Sequence, residues 1–84
     1  MKKKIVIVED HPIVRRGITQ LINYESDLTV IGEAEDVNGA HDVIGKEQPD
    51  LVLIDLSLKG GNGLELIKDL KAVYPKLLII VVSL

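Results

Sequence analysis

The sequence predicts an α/β fold, a parallel sheet with helices on both faces. Three observations lead there. Apolar runs and helix-period segments alternate along the chain in the order β-α-β-α-β-α-β, and strands joined through helices pair in parallel by right-handed crossovers. The run Leu51-Val52-Leu53-Ile54 is unbroken apolar, as a strand covered on both faces is. At 84 residues the chain is one folding unit, and its 46% hydrophobic content is that of a globular protein, not of a disordered one.

Each element has its own signal. Lys4–Val8 is a compact β-branched run, read as a strand. Asp10-His11-Pro12 then has the form of a helix start, a capping side chain with proline just inside. Val14, Ile18, Leu21 and Ile22 recur at helical spacing and define one face of a first helix ending near Asn23. Leu28–Glu35 alternates, with Leu28, Val30, Gly32 and Ala34 on one side and Thr29, Ile31, Glu33 and Glu35 on the other. That period suits a sheet-edge strand with one face partly wet.

Val37, Ala40, Val43 and Ile44 mark a short second helix finished by Gly45. Pro49 separates it from the third strand, Leu51–Asp55. A loop with Gly60, Gly61 and Gly63 follows, its glycines read as serving tight turns. A third helix comes next, with Leu64, Ile67, Leu70 and Tyr74 facing inward and Pro75 as its stop. Leu77–Val82 is the last strand, closing with Ser83-Leu84. With Tyr24 and Tyr74 as the only aromatics, the core must be aliphatic.

Composition removes several classes of function. Ten basic against thirteen acidic residues leave a net charge of −3, which excludes a generally basic surface made for nucleic acid or anionic lipid. The absence of cysteine excludes disulfides and thiolate metal sites. No apolar run approaches the roughly 18 residues of a membrane span, so no membrane partner is expected. Lys2-Lys3-Lys4 and the apolar run after it imitate a signal peptide, but Glu9 and Asp10 stand where a small-residue cleavage site would be. The chain is therefore expected in the cytoplasm.

In open parallel sheets, ligands gather beyond the carboxyl ends of the strands. Three carboxylates fall there: Glu9 and Asp10 after the first strand, and Asp55 ending the third. If those strands are neighbours, the acids converge. Two anions at ~4 Å repel by about 4 kcal/mol at an effective dielectric near 20, so something positive must offset them. Oxygen donors without cysteine or a histidine pair favour Mg²⁺, which binds through one or two carboxylates plus a phosphate. An aspartate so placed is also a possible nucleophile, since carboxylates form acyl phosphates. Ser83, at the end of the fourth strand, could hydrogen-bond a phosphoryl oxygen. Each residue also has a plainer role: Asp10 as a helix cap, Glu9 as a solvated strand-end charge, Ser83 as an ordinary hydroxyl. His11 and His41 lack ligand spacing and read as surface or capping residues, and Arg15-Arg16 as a solvated face.

Taken together, the acidic pair after strand one, the lone aspartate ending strand three and Asn62-Gly63 before helix three resemble the receiver domain of two-component response regulators. Val8-Glu9-Asp10-His11-Pro12-Ile13-Val14-Arg15-Arg16-Gly17 is similar to the branch whose receivers precede a LuxR-type helix-turn-helix. The resemblance implies a flavodoxin-like, receiver-type three-layer fold with strand order 2-1-3-4-5. Residues 1–84 would be a partial receiver domain, lacking strand five and helices four and five, with the output domain absent. It makes Asp55 the phosphoacceptor and Asp10 a direct Mg²⁺ ligand, with the Ser57 backbone carbonyl a further ligand and Glu9 acting through water. Ser83 takes the position of the hydroxyl that turns toward the phosphoryl group. The phosphoryl donor would be a histidine kinase or a small phosphodonor, and DNA would be contacted only through an output domain.

The chain departs from the family pattern in two places. Leu58-Lys59 stands where Met-Pro is usual, and no lysine occupies the position of the family's strand-five lysine. An early stop would also leave the fourth strand as an apolar edge, a template for homodimer formation. The chain is thus expected to be a piece of a longer protein, to associate through that strand, or both. Three functions follow: a signalling receiver that is not an enzyme on external substrates, a truncated interaction module, and a small Mg²⁺-dependent aspartyl phosphatase. The last usually needs a carboxylate two residues after its nucleophile, where this chain has Ser57.

Overall fold

The computed structural model describes residues 2–58 and 62–82. Seven elements follow one another: β1 (Lys3–Val8), α1 (Pro12–Tyr24), β2 (Leu28–Ala34), α2 (Val37–Glu47), β3 (Leu51–Asp55), α3 (Gly63–Val73) and β4 (Leu78–Val82). The strands form one sheet, ordered β2-β1-β3-β4, and every pairing is parallel. The chain thus runs outward from β1 to β2, then crosses back to β3 on the other side. That reversal of direction places a crevice at the carboxyl ends of β1 and β3.

Alternation along the central strands distributes the core. Val6, Val8, Val52 and Ile54 are fully buried and pack with Ala40 and Ile44 of α2 and Leu66, Leu70 and Leu77 from α3 and beyond. Ile5 and Ile7 point to the opposite face, where α1 lies against β1 and β2. Leu51 and Leu53 share that second face and are only half-buried, so β3 is not equally covered on its two sides. Burying one such aliphatic side chain contributes about 1.5–3 kcal/mol, and the tight layer between β1, β3, α2 and α3 therefore holds the crevice in place.

Several local expectations are corrected. The alternation expected in β2 is broken by a bulge: Ile5 pairs with Val30 but Val6 with Gly32, which leaves Ile31 as an extra residue. Ile31 packs against the core even so, because a bulge re-aims the side chains around it. Helix α2 runs through Gly45 to Glu47 and stops at Gln48, which takes the left-handed conformation at φ 50°. The Gln48 side chain donates to the Gly45 carbonyl at 3.0 Å, so a residue other than glycine can end the helix there. Leu21 and Leu64, expected to face inward, are exposed, while Leu66 is buried. In α3 the buried stripe is set by Leu66 and Leu70, four residues apart, and Leu64 falls outside it.

The outer strands of the described sheet are β2 and β4, and Leu78, Ile80 and Val81 of β4 are exposed. No helix among the described residues is long and apolar enough to cross a membrane.

Candidate functional site

The pairing of Val8 with Ile54 brings the next residues of both strands to the same end of the sheet. Glu9, Asp10 and Asp55 all lie there, with 2%, 9% and 3% of their surfaces exposed. Three buried carboxylates in one place need compensation, and the structure shows where it comes from.

His11 supplies part of it. Its Nδ1 hydrogen-bonds Glu9 Oε1, lies 2.9 Å from Asp10 Oδ1 and stands 3.9 Å from Asp55 Oδ2. The His11 main-chain N also donates to Glu9 Oε1 at 3.1 Å. The bond to Glu9 and the charge of Asp10, with smaller contributions from Glu9 and Asp55, hold the imidazole pKa above its usual value against some desolvation. Helix α1 begins at Pro12 with His11 as its N-cap, and no side chain caps it. Asp10 is therefore not the helix cap that Asp10-His11-Pro12 suggested. Its Oδ1 is buried and accepts no hydrogen bond.

Asp55 is held differently. Burial pushes its carboxyl pKa up, but the hydrogen bonds and charge around it prevail and keep it below the ordinary value. The largest of these is the Ser57 main-chain N–H, joined by the Ser57 hydroxyl and the charge of His11. Ser57 donates from its main-chain N to Oδ1 at 3.0 Å, and from its hydroxyl to Oδ1 and Oδ2, each at 3.0 Å. The turn after β3 thus folds back on the carboxylate that ends the strand, and Asp55 stays ionised.

Arg15 is a second residue with a role beyond the expected one. Instead of a solvated cation, it donates to the Glu9 carbonyl at 2.7 Å and to Glu33 Oε1 at 3.1 Å. It ties the start of α1 to the end of β1 and to β2. Both His11 and Arg15 follow the acidic pair closely in the chain, and that nearness in sequence is the signal that marks them. Ser83, like Lys59, Gly60 and Gly61 of the loop before α3, lies outside the described residues.

One ligand atom each from Glu9, Asp10, His11 and Asp55 all lie within 4.8 Å of one another. The donors are mainly hard oxygens, the local charge is negative, and one buried oxygen is without a hydrogen bond. Those properties fit a hard divalent cation such as Mg²⁺.

The model of the response regulator receiver domain matches residues 5–84. The chain belongs to that family. Among its relatives, the nitrate/nitrite response regulator protein NarL of Escherichia coli (strain K12) is 40% identical over 67 residues, covering 80% of this chain and 31% of NarL. The DNA-binding transcriptional activator DevR/DosR of Mycobacterium tuberculosis is 39% identical over 74 residues, covering 88% of this chain and 34% of DevR/DosR. A LuxR-family two-component response regulator from Aurantimonas superposes with a TM-score of 0.92 at 31% identity, covering 99% of this chain and 59% of that one. The receiver chain spans about a third of the length of the two curated relatives. Its sheet order and its flavodoxin-like architecture are those the resemblance implied.

Proposed function

We propose that this receiver takes a phosphoryl group onto Asp55, with Mg²⁺, and that in the whole protein this event controls transcription. The observation that carries the reading is the convergence of Glu9, Asp10 and Asp55 at one end of the sheet, with Asp10 Oδ1 buried and free of hydrogen bonds. Asp10, Asp55 and the Ser57 main-chain carbonyl would hold the cation, with Glu9 acting through water. Held there, Mg²⁺ would supply positive charge to offset that on the phosphoryl oxygens during transfer.

The chain's own residues do the rest. An acyl phosphate forms when an ionised carboxylate oxygen attacks phosphorus, and the hydrogen bonds from Ser57 keep Asp55 in that form. Oδ1 accepts two hydrogen bonds from Ser57 and Oδ2 only one, so Oδ2 is the freer nucleophile. As the new P–O bond forms, the P–N bond of a phosphohistidine donor breaks and the departing imidazole takes up a proton. A histidine kinase or a small phosphodonor would supply the group, and the Ser83 hydroxyl would contact a phosphoryl oxygen. DNA contact would belong to a part of the protein beyond this domain, a reading supported by the DNA-binding transcriptional activator among the relatives. The reading places the protein in the cytoplasm and gives it no external substrate.

Incubation with acetyl phosphate and Mg²⁺, followed by intact mass, tests this. One phosphoryl adduct is expected in the native chain and none in Asp55→Asn. Continuous phosphate release without an accumulating adduct would favour a phosphatase instead. No adduct under any Mg²⁺ concentration would reduce the chain to an interaction module.

A further inference from the structure

His11 is the member of the acid cluster that phosphoryl transfer does not require. Its side chain is not a helix cap, since the N-terminus of α1 has no side-chain cap at all. The side chain is 57% exposed, so one side of the ring already meets solvent. The other side presents Nδ1 to Glu9, Asp10 and Asp55, the acids that would hold a cation. Asp10 Oδ1 gains proximity from this arrangement but no hydrogen bond, although it is buried and 2.9 Å from Nδ1.

We propose that the His11 imidazole competes with the divalent cation for the space between Glu9, Asp10 and Asp55, so that loading the cation requires the ring to swing out into solvent. This inference rests on the cation site of the proposed function and adds a gate to it. His11 Nδ1 bonds Glu9 Oε1 and lies 2.9 Å from Asp10 Oδ1 and 3.9 Å from Asp55 Oδ2, so the ring nitrogen stands against the same oxygens that an ion would need. A hard ion that prefers oxygen displaces a nitrogen donor instead of recruiting it. The ring can leave by rotating between staggered side-chain positions, because its outer side is open. With the ring inside, the pocket is closed to the ion, and the apparent affinity is the intrinsic one multiplied by the fraction of molecules whose ring is outside.

The test is a titration of the full chain with magnesium chloride at fixed pH, followed by main-chain amide shifts around Asp10 and Asp55 and by the imidazole ¹⁵N signals of His11. His11→Ala and His11→Asn are expected to lower the Mg²⁺ Kd on the order of threefold or more. Both variants should keep the fold, because asparagine is a favoured N-cap and the native ring does not cap. In the native chain the His11 ring signals should move, with the same midpoint as the amides, toward those of the exposed His41. Weaker binding in both variants would make His11 a ligand and overturn the gate. Saturable binding that Asp10→Asn abolishes but His11→Ala leaves unchanged would overturn the gate alone, with the cation site intact. No saturable response in the native chain or in either His11 variant would overturn both the gate and the cation site.

Discussion

The hydroxyl of Ser57 lies 3.0 Å from both carboxylate oxygens of Asp55, and its main-chain N donates to one of them at the same distance. A strand-end acid is thereby clasped by the turn that follows it. Ser57→Ala removes the hydroxyl and leaves the main-chain donor. The Asp55 carboxyl should then titrate at higher pH than in the native chain, as followed by carboxyl ¹³C shifts. The loss of stability should be about 1 kcal/mol at neutral pH, read by urea unfolding. It should vanish at a pH low enough to protonate Asp55 in both folded and unfolded chains.

Stability of the metal-free chain should have a defined optimum in pH. Asp55 is held below its reference value of 3.8, so its contribution is present above that value and is lost as pH falls through the folded-state value. His11 is held above its reference value of 6.5, so its contribution is full below 6.5 and is lost as pH rises through the folded-state value. Together the two groups favour the folded state most between about 3.8 and 6.5. Denaturation midpoints in chelating buffer should therefore fall on both sides of that window, and His11→Asn should flatten the alkaline side and, to a smaller extent, the acid side. An unchanged alkaline side in that variant would show that His11 does not interact with the acids in solution.

Gly63 opens α3 directly behind the turn that follows Asp55. A Cβ there would lie 2.9 Å from both the Leu56 Cα and the Leu56 carbonyl oxygen, and 3.2 Å from the Asp55 carbonyl oxygen. All three are backbone atoms, so the clash cannot be relieved by turning a side chain. Gly63→Ala should cost about 1–3 kcal/mol in urea unfolding. It should also shift the amide signals of Leu56 and Ser57 more than those of β2, because the strain falls on the turn.

Much of the fold was legible because its signals are local. The unbroken run Leu51–Asp55 is a strand with those same bounds, and Pro12 opens α1 as its fixed φ dictates. Other boundaries were not. Gly45 looked like the end of α2, yet Gln48 ends it, since its own side chain satisfies an end carbonyl that glycine would leave to water. The bulge at Ile31 was hidden because a strand's alternation is visible in sequence and its register against a neighbour is not. Leu21 and Leu64 have the helical spacing of inward residues, but spacing does not say how much of a helix its neighbours cover.

The candidate site divides along the same line. By itself the sequence determined the element order and set an acid at the end of each of two apolar strands, because the periods of two and 3.6 are properties of the local chain. Only the tertiary structure decided that β1 and β3 lie side by side, that His11 turns its ring into the resulting acids, and that Arg15 reaches Glu9 and Glu33. Those contacts depend on strand order and register, and these emerge when distant apolar faces pack against one another.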